Sequence, residues 1–166
     1  NNDINRAYFA YMKALALDPE NVRLLHKQGI LLLKKKMYPD AEQVYRKLLD
    51  RSAKDALAQE GLGRALLGQS KSSEAEKALL AALALKDDLW QSHQFLGLLY
   101  SSREQYDKAV AEFKKALALQ PKDTGVMNNL AVTYSLMGQY DQAEPLLRNL
   151  AATTKDKKVF NNLAVV

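Results

Sequence analysis

Histidine is the side chain best suited to proton transfer or metal binding near neutral pH, and this sequence contains two, far apart. His26 and His93 belong to neither an H-x-x-x-H nor an H-E-x-x-H pattern, which would bring two metal ligands onto one helix face. Nucleophilic catalysis needs a nucleophile, a base and an orienting group within hydrogen-bond reach, and the chain has no cysteine. We therefore interpret both histidines as ordinary groove or surface side chains.

Acidic pairs and glycines give no better support for catalysis. Asp87 and Asp88 fall in a predicted turn, where capping the next helix is a more common role for a carboxylate than general acid–base work. The glycines stand at predicted helix contacts or beside turns, and none builds a phosphate-binding loop. The sequence predicts no catalytic, cofactor-binding or metal-binding residue, and we do not expect an enzyme.

Small residues recur along the chain at one fixed interval. One series, spaced 34 residues apart, consists of Ala7, Ala41, Ala75, Ala109 and Ala143. A second series with the same spacing consists of Gly29, Gly63, Gly97 and Ala131. A repeat of about 34 residues is typical of a unit built from two helices and a turn.

The residues around these positions explain why the unit would be a helical hairpin. Gly97 on a first helix and Ala109 on a second would let the two backbones approach closely. Larger side chains surround them at helical spacing, namely Leu96, Tyr100, Phe113 and Leu117. The residue before a proline disfavours the α conformation, so Gln120-Pro121 ends the second helix. Strong helix formers dominate the composition, and the expected class is all-α.

This pattern resembles the tetratricopeptide repeat family. In residues 90–123 the resemblance rests on Leu96-Gly97, Tyr100, Tyr106, Ala109, Phe113, Ala116 and Pro121. In residues 124–156 it rests on Leu130-Ala131, Tyr134, Gly138, Tyr140 and Ala143, with Leu147 in place of the aromatic residue. The resemblance implies a right-handed α-solenoid of antiparallel helical hairpins, a superhelix that binds proteins or peptides.

The repeat divides the chain into one solenoid of full and partial units over residues 1–166. The full repeats span 22–55, 56–89, 90–123 and 124–156. Residues 1–21 match only the second helix of a unit, and residues 157–166 match only the first helix. Neither end has the polar outer face of a capping helix, so we expect a piece of a longer solenoid or pairing between copies.

Stacked hairpins of this kind line their concave face with the first helix of each unit. Side chains that point away from the partner helix are therefore the candidate ligand contacts. We predict a peptide-binding groove formed by Arg23, Lys27, Arg64, Gln94, Phe95, Leu98, Asn128, Asn129, Val132, Lys158, Asn161 and Asn162.

Two asparagine pairs, Asn128-Asn129 and Asn161-Asn162, each occur in the sequence Asn-Asn-Leu-Ala-Val. An asparagine amide offers a donor and an acceptor, so it can pair with the backbone groups of an extended peptide. Asparagines at the equivalent place do this in some tetratricopeptide relatives. The alternative is that these amides are solvated or bond between repeats.

The net charge of +5 is concentrated in residues 22–55, which hold nine basic and four acidic side chains. Arg23, Lys27, Lys34, Lys35 and Lys36, with Arg64 nearby, could attract an acidic segment, but a solvated helix end is the favoured interpretation. The Lys and Asn set with which some relatives grip chaperone tails is incomplete here. Nucleic-acid binding is not expected, because the groove lacks alternating aromatic and basic residues.

Residues 128–164 look like the repeats of bacterial tight-adherence pilus-assembly proteins, which are anchored to the outer membrane. That resemblance implies a periplasmic or outer-membrane-associated setting; otherwise the cytoplasm is expected. No apolar run approaches the length of a membrane span, so this segment is not expected to insert into a membrane.

Two functions remain after these exclusions. The leading hypothesis is a scaffold that binds a protein or peptide along the groove, within a bacterial assembly or secretion complex. The alternative is a self-associating structural module, a homo-oligomer in which partial hairpins pair between copies through the open ends.

Overall fold

The computed structural model describes residues 2–153 and residue 162, and every regular element within residues 2–153 is an α-helix. These helices are α1 (Asn2–Leu17), α2 (Val22–Lys34), α3 (Tyr38–Arg51), α4 (Ala56–Gly68), α5 (Ser72–Leu85), α6 (Trp90–Ser102), α7 (Tyr106–Leu119), α8 (Thr124–Leu136) and α9 (Tyr140–Thr153). The all-α class expected from the sequence is confirmed.

The helices pack as successive hairpins within two compact units. The first unit, Asn1–Asp87, contains the hairpins α2–α3 and α4–α5, with α1 packed on α2 and α3 packed on α4. The second unit, Asp88–Val166, contains the hairpins α6–α7 and α8–α9, with α7 packed on α8. We call α2, α4, α6 and α8 the first helices, and α3, α5, α7 and α9 the second helices.

Three of the four first helices begin at an acidic or amide N-cap residue. The side chains of Asn21, Asp55 and Asp123 accept hydrogen bonds of 2.8–3.1 Å from the backbone N–H three residues on. In α6 the N-cap residue is Leu89, which forms no side-chain cap. The N-cap position that the sequence suggested for Asp87 or Asp88 is therefore occupied by Leu89.

Every first helix ends in the same turn. Lys36, Ser70, Glu104 and Gly138 have positive φ angles of 59–70°. The next residue in each case donates its backbone N–H to the carbonyl five residues back, as in the 2.9 Å bond from Met37 to Leu32. This is the Schellman arrangement, which satisfies carbonyls that a helix end would otherwise leave without partners.

The core of the first unit is organised around Tyr45 of α3, which is buried. Its ring lies against two glycines, Gly29 of α2 and Gly61 of α4, where neither helix has room for a side chain. A Cβ atom built on Gly29 would lie 2.6 Å from Tyr45 Cζ. One aromatic residue on a second helix thus fixes the two neighbouring first helices at close range.

The first unit has two joints between successive repeats, and the same pair of equivalent positions forms a contact at each. The residues at these positions differ in chemistry between the two joints. At the first joint, Lys35 Nζ lies 4.8 Å from the centre of the Tyr8 ring, a cation–π contact. At the second joint, the equivalent residues are Gln69 and Glu42, and the amide donates a 2.7 Å hydrogen bond to the carboxylate.

Glu42 also accepts hydrogen bonds from Arg46 at 2.7 Å and Lys71 at 2.9 Å. The Lys71 ammonium, with help from Arg46 and Gln69 and against the effect of burial, lowers the pKa of Glu42 to about 2. The second joint is therefore held by a charged cluster and the first by an aromatic contact.

Candidate functional site

The first helices of the second unit, α6 and α8, bring six of the predicted groove residues together. These occupy equivalent positions in the two helices, and we call them the neutral face: Gln94, Phe95, Leu98, Asn128, Asn129 and Val132. The two helices are close neighbours, because Gln94 Nε2 would lie 3.8 Å from a Cβ atom built on Gly125. All six side chains are half-buried or exposed, and Leu98 is 40% exposed.

No charged side chain occurs on this pair of helices. Neither α6 nor α8 contains Lys, Arg, Asp or Glu. The histidine of α6, His93, is buried, and its Nδ1 lies 2.6 Å from Oε2 of Glu112 on α7. The interpretation of His93 as a groove or surface residue is therefore wrong, since it joins the two helices of its hairpin. The neutral face offers amides and apolar groups.

The asparagines of α8 differ in what they contact. Asn162 Nδ2 donates a 3.0 Å hydrogen bond to Asn128 Oδ1, so this pair bonds between repeats, as one of the two readings of the sequence expected. Among the described residues, the side chain of Asn129 forms no hydrogen bond, and its amide remains open to a ligand. The predicted contacts Lys158 and Asn161 lie outside the described residues.

The first helices of the first unit carry a different surface. Four exposed residues of α2 recur at intervals of three or four positions and so follow one side of the helix: Arg23, Lys27, Ile30 and Lys34. We call these four residues the basic stripe. Lys27 Nζ lies 5.6 Å from the centre of the Tyr11 ring of α1. The stripe includes two predicted groove residues, Arg23 and Lys27.

The other basic residues grouped with the stripe from the sequence differ from it in their contacts or in their burial. Lys35 donates a 2.8 Å hydrogen bond to Asn5 Oδ1 of α1, besides its contact with Tyr8, and Lys36 lies in the turn. Arg64 of α4 is half-buried near Tyr45. Burial raises the pKa of the Tyr45 phenol to about 12, and the Arg64 cation opposes that effect.

His26, the histidine of α2, links two repeats of the first unit. Its Nε2 lies 2.8 Å from Oδ2 of Asp55, whose other oxygen caps α4. The side chain of His26 is 22% exposed, so its interpretation as a groove residue agrees with its place on a first helix. This pairing was not predicted from the sequence, although Asp55 lies one repeat after Asn21, at a cap position that could have indicated it.

Neither metal-binding nor membrane-spanning features appear in the part of the chain that the structure describes. No group of three or more His, Cys, Asp or Glu side chains there could hold a metal ion. No helix there is long and apolar enough to cross a membrane.

Comparison with known proteins gives a consistent family match. Profiles described as tetratricopeptide repeat match residues 1–56, 26–89, 60–124 and 101–164. The human protein O-mannosyl-transferase TMTC1 is 31% identical over 128 residues, which is 74% of this chain and 14% of that protein. The anaphase-promoting complex subunit CDC16 of Saccharomyces cerevisiae is 26% identical over 96% of this chain and 20% of its own length. The chain thus spans a small part of these relatives.

Solved structures with the same fold cover nearly the whole chain. A crystal structure of MamA is 25% identical and covers 99% of this chain and 93% of its own, with a TM-score of 0.75. A thermophilic repeat protein from Thermus thermophilus has a TM-score of 0.80 at 22% identity, over 97% of this chain and 89% of its own. The repeat protein YrrB, described as having an unusual peptide-binding site, has a TM-score of 0.73 at 21% identity, over 99% and 85%. These likenesses confirm the helical-repeat solenoid.

Proposed function

Because the chain belongs to the tetratricopeptide repeat family, we propose that it is a protein–protein interaction scaffold that binds a peptide segment of its partner on the neutral face. Proteins of this family generally mediate protein–protein interaction and are generally not enzymes. The observation that carries the proposal is the uncharged surface of amides and apolar side chains across α6 and α8.

The amides of this face suit the backbone of an extended peptide. Each peptide residue other than proline presents one N–H donor and one C=O acceptor, and a side-chain amide offers both complements. Among the described residues, the side-chain amide of Asn129 forms no hydrogen bond. Gln94 of α6 occupies the position of Asn128 one repeat earlier, and its amide lies close to the first turn of α8. Asn128 is engaged by Asn162, so Asn129 is the asparagine that supports peptide binding best.

The apolar members of the face would contact side chains of the ligand. Phe95 and Leu98 lie one turn apart on α6, and Val132 occupies on α8 the position that Leu98 occupies on α6. Partly exposed aromatic and aliphatic residues beside polar groups are the usual composition of a peptide-binding surface. We infer a ligand segment with apolar side chains and little charge.

The proposal includes the absence of catalysis. Both histidines pair with carboxylates that join helices, and neither pair is on the neutral face. A place in a bacterial pilus-assembly or secretion complex rests on the sequence resemblance alone, and the relatives found do not support it. The proposal therefore concerns a peptide ligand in any setting.

The test uses a displayed library of random peptides, selected on the intact chain, followed by fluorescence polarisation with the synthetic peptides that are enriched. We expect Leu98→Ala and Asn129→Ala each to weaken binding about tenfold. The matched controls are Leu119→Ala on α7, whose leucine is 41% exposed, and Gln142→Ala on α9, an exposed amide. Both control variants should bind as the unchanged chain does. Equal affinity for all four variants would overturn the proposal.

A further inference from the structure

We propose that the basic stripe on α2 is a second ligand surface, which binds an acidic peptide segment with an apolar side chain among its carboxylates. This inference rests on the proposed role of the chain in peptide binding and adds a surface of different chemistry from the neutral face. Arg23, Lys27, Ile30 and Lys34, whose exposure and spacing were described above, form it.

The cations of the stripe have no carboxylate partner, in contrast to those of the adjoining second helix. On α3, Arg46 pairs with Glu42, and Lys47 pairs with Glu20 at 3.0 Å. Among the side chains that the structure describes, no Asp or Glu lies within ion-pair distance of any cation of the stripe. Their charge is therefore available to an anionic group from another molecule.

Neither α2 nor the neighbouring first helix α4 carries an exposed carboxylate that would compete for the stripe. α2 contains no Asp or Glu. On the neighbouring first helix, Glu60 is buried, and Asp55 at its N-cap is engaged by His26 and by the backbone of α4. An acidic ligand would thus meet attraction from the cations without nearby repulsion from these two helices.

A solvated helix end, the interpretation favoured from the sequence, does not account for the whole stripe. Cations are favoured near a helix C-terminus, which explains Lys34 and the adjacent Lys35. Arg23 is the second residue of α2, where the helix dipole disfavours a cation, and no acidic residue in the first turn compensates. A stripe that runs from one end of the helix to the other indicates a role beyond dipole compensation.

The spacing of the stripe indicates the pattern of its ligand. From Arg23 to Lys34 the stripe extends along the helix axis for about 16 Å, at roughly 1.5 Å per residue. An extended peptide of about five residues spans that distance, and its alternate side chains, about 6.7 Å apart, match residues one turn apart on the helix. Ile30, 44% exposed, lies between Lys27 and Lys34, so an apolar ligand side chain is expected between carboxylates.

The experiment measures binding of a fluorescein-labelled peptide with the core Glu-Ser-Leu-Ser-Glu, whose alternate side chains place a leucine between two glutamates on one face. The same peptide with glutamine in place of glutamate, and an oligothymidylate of equal charge, serve as competing probes. We expect the acidic peptide to bind, with an affinity that falls as salt is raised. The triple variant Arg23→Gln, Lys27→Gln, Lys34→Gln should bind it roughly tenfold more weakly. The glutamine peptide should bind the unchanged chain at least tenfold more weakly than the acidic one.

A second triple variant of the same net charge controls for long-range electrostatics. Lys13→Gln, Lys54→Gln and Lys77→Gln change exposed lysines of the same unit that are outside the stripe. This variant should retain affinity within about twofold of the unchanged chain. Equal losses in the two triple variants, or tighter binding of the oligothymidylate than of the peptide, would overturn the inference. The neutral-face test changes residues of α6 and α8, whereas this test changes residues of α2, so the two proposals can fail separately.

Discussion

The ring of Tyr45 occupies the space into which a side chain on Gly61 would project. A methyl group built on Gly61 would overlap Cζ and Cε1 of that ring, and Gly29 on the other side prevents the ring from moving away. The aromatic residue and the two glycines therefore form one packing unit across three helices. Because the tyrosine belongs to one hairpin and Gly61 to the next, this contact stabilises the stacking of repeats as well as each hairpin.

We predict that Gly61→Ala destabilises the chain. Alanine is the better helix former by about 1 kcal/mol, but overpacking typically costs about 1–3 kcal/mol, and the direct overlap with the ring favours the upper part of that range. The free energy of unfolding, measured by urea denaturation, should fall. The double variant Gly61→Ala with Tyr45→Leu should be more stable than additivity of the single changes predicts. Additive losses would show that the ring is not the cause.

The carboxylate of Glu42 predicts a loss of stability in acid. Its pKa is about 2 in the folded chain and about 4.5 when unperturbed, so the unfolded chain takes up its proton first as pH falls. The stabilisation is complete above pH 4.5 and is lost between pH 4.5 and about 2. Because Arg46 and Lys71 are substantially exposed, we expect about 1–2 kcal/mol at neutral pH.

Urea denaturation at pH 7 and pH 3 measures this effect. Glu42→Gln should lower the free energy of unfolding at pH 7 and reduce the difference in that free energy between the two pH values. Glu144→Gln is the matched control. Glu144 is the equivalent residue of α9, and it also pairs with an arginine four residues on, but it is 45% exposed. It should change stability by less than about 0.5 kcal/mol. A response of Glu144→Gln as large as that of Glu42→Gln would contradict the special role of the cluster.

The turn residues predict three stabilising substitutions. Lys36, Ser70 and Glu104 have left-handed φ angles that glycine adopts without the steric cost of a Cβ atom. Changing each to glycine should raise the free energy of unfolding by about 0.5–1 kcal/mol. At the equivalent position, Gly138→Ala should lower it by a similar amount. Thermal unfolding of the four variants tests the series, and glycine substitutions that destabilise would contradict it.

Neighbouring asparagines on α8 should separate stability from binding. Asn128→Ala removes the acceptor of the bond from Asn162 and should cost about 0.5–1.5 kcal/mol of stability. Asn129→Ala should leave stability within about 0.5 kcal/mol and reduce affinity for the selected peptides. Urea denaturation and fluorescence polarisation on both variants distinguish the two roles. The opposite assignment of effects would show that Asn128 is the ligand-binding amide.

The interval of 34 residues was enough to predict the helices, because small residues, cap residues and turn residues all follow it. The close approach of Gly97 and Phe113, for example, could be predicted because both occupy packing positions of the same hairpin. Pairings between unlike positions were harder to predict. The bond from His93 to Glu112 depends on the direction of two side chains across a hairpin, which periodicity does not specify.

The basic residues of α2 also show that position along the sequence does not specify the direction of a side chain. Adjacency along the sequence suggested that Lys34, Lys35 and Lys36 act together. In the helix, successive residues point about 100° apart, so Lys34 joins the stripe while Lys35 contacts α1. The repeat pattern is sufficient to assign Arg23 and Lys27 to a first helix. The absence of ion-pair partners for their charges follows only from the contacts of the neighbouring helices.

The two joints of the first unit bear on how such chains can change length. Deleting residues 22–55 would keep every helix in phase, since one whole interval is removed, but it would place Tyr8 against Gln69 and remove the carboxylate that Lys71 contacts. The loss of one repeat would therefore leave a chain with the same kind of fold, in which the residues at the new joint do not complement each other. Duplication or deletion of a whole interval can therefore change the number of repeats. The residues at each joint, by contrast, match only particular neighbours and so constrain the order of the repeats.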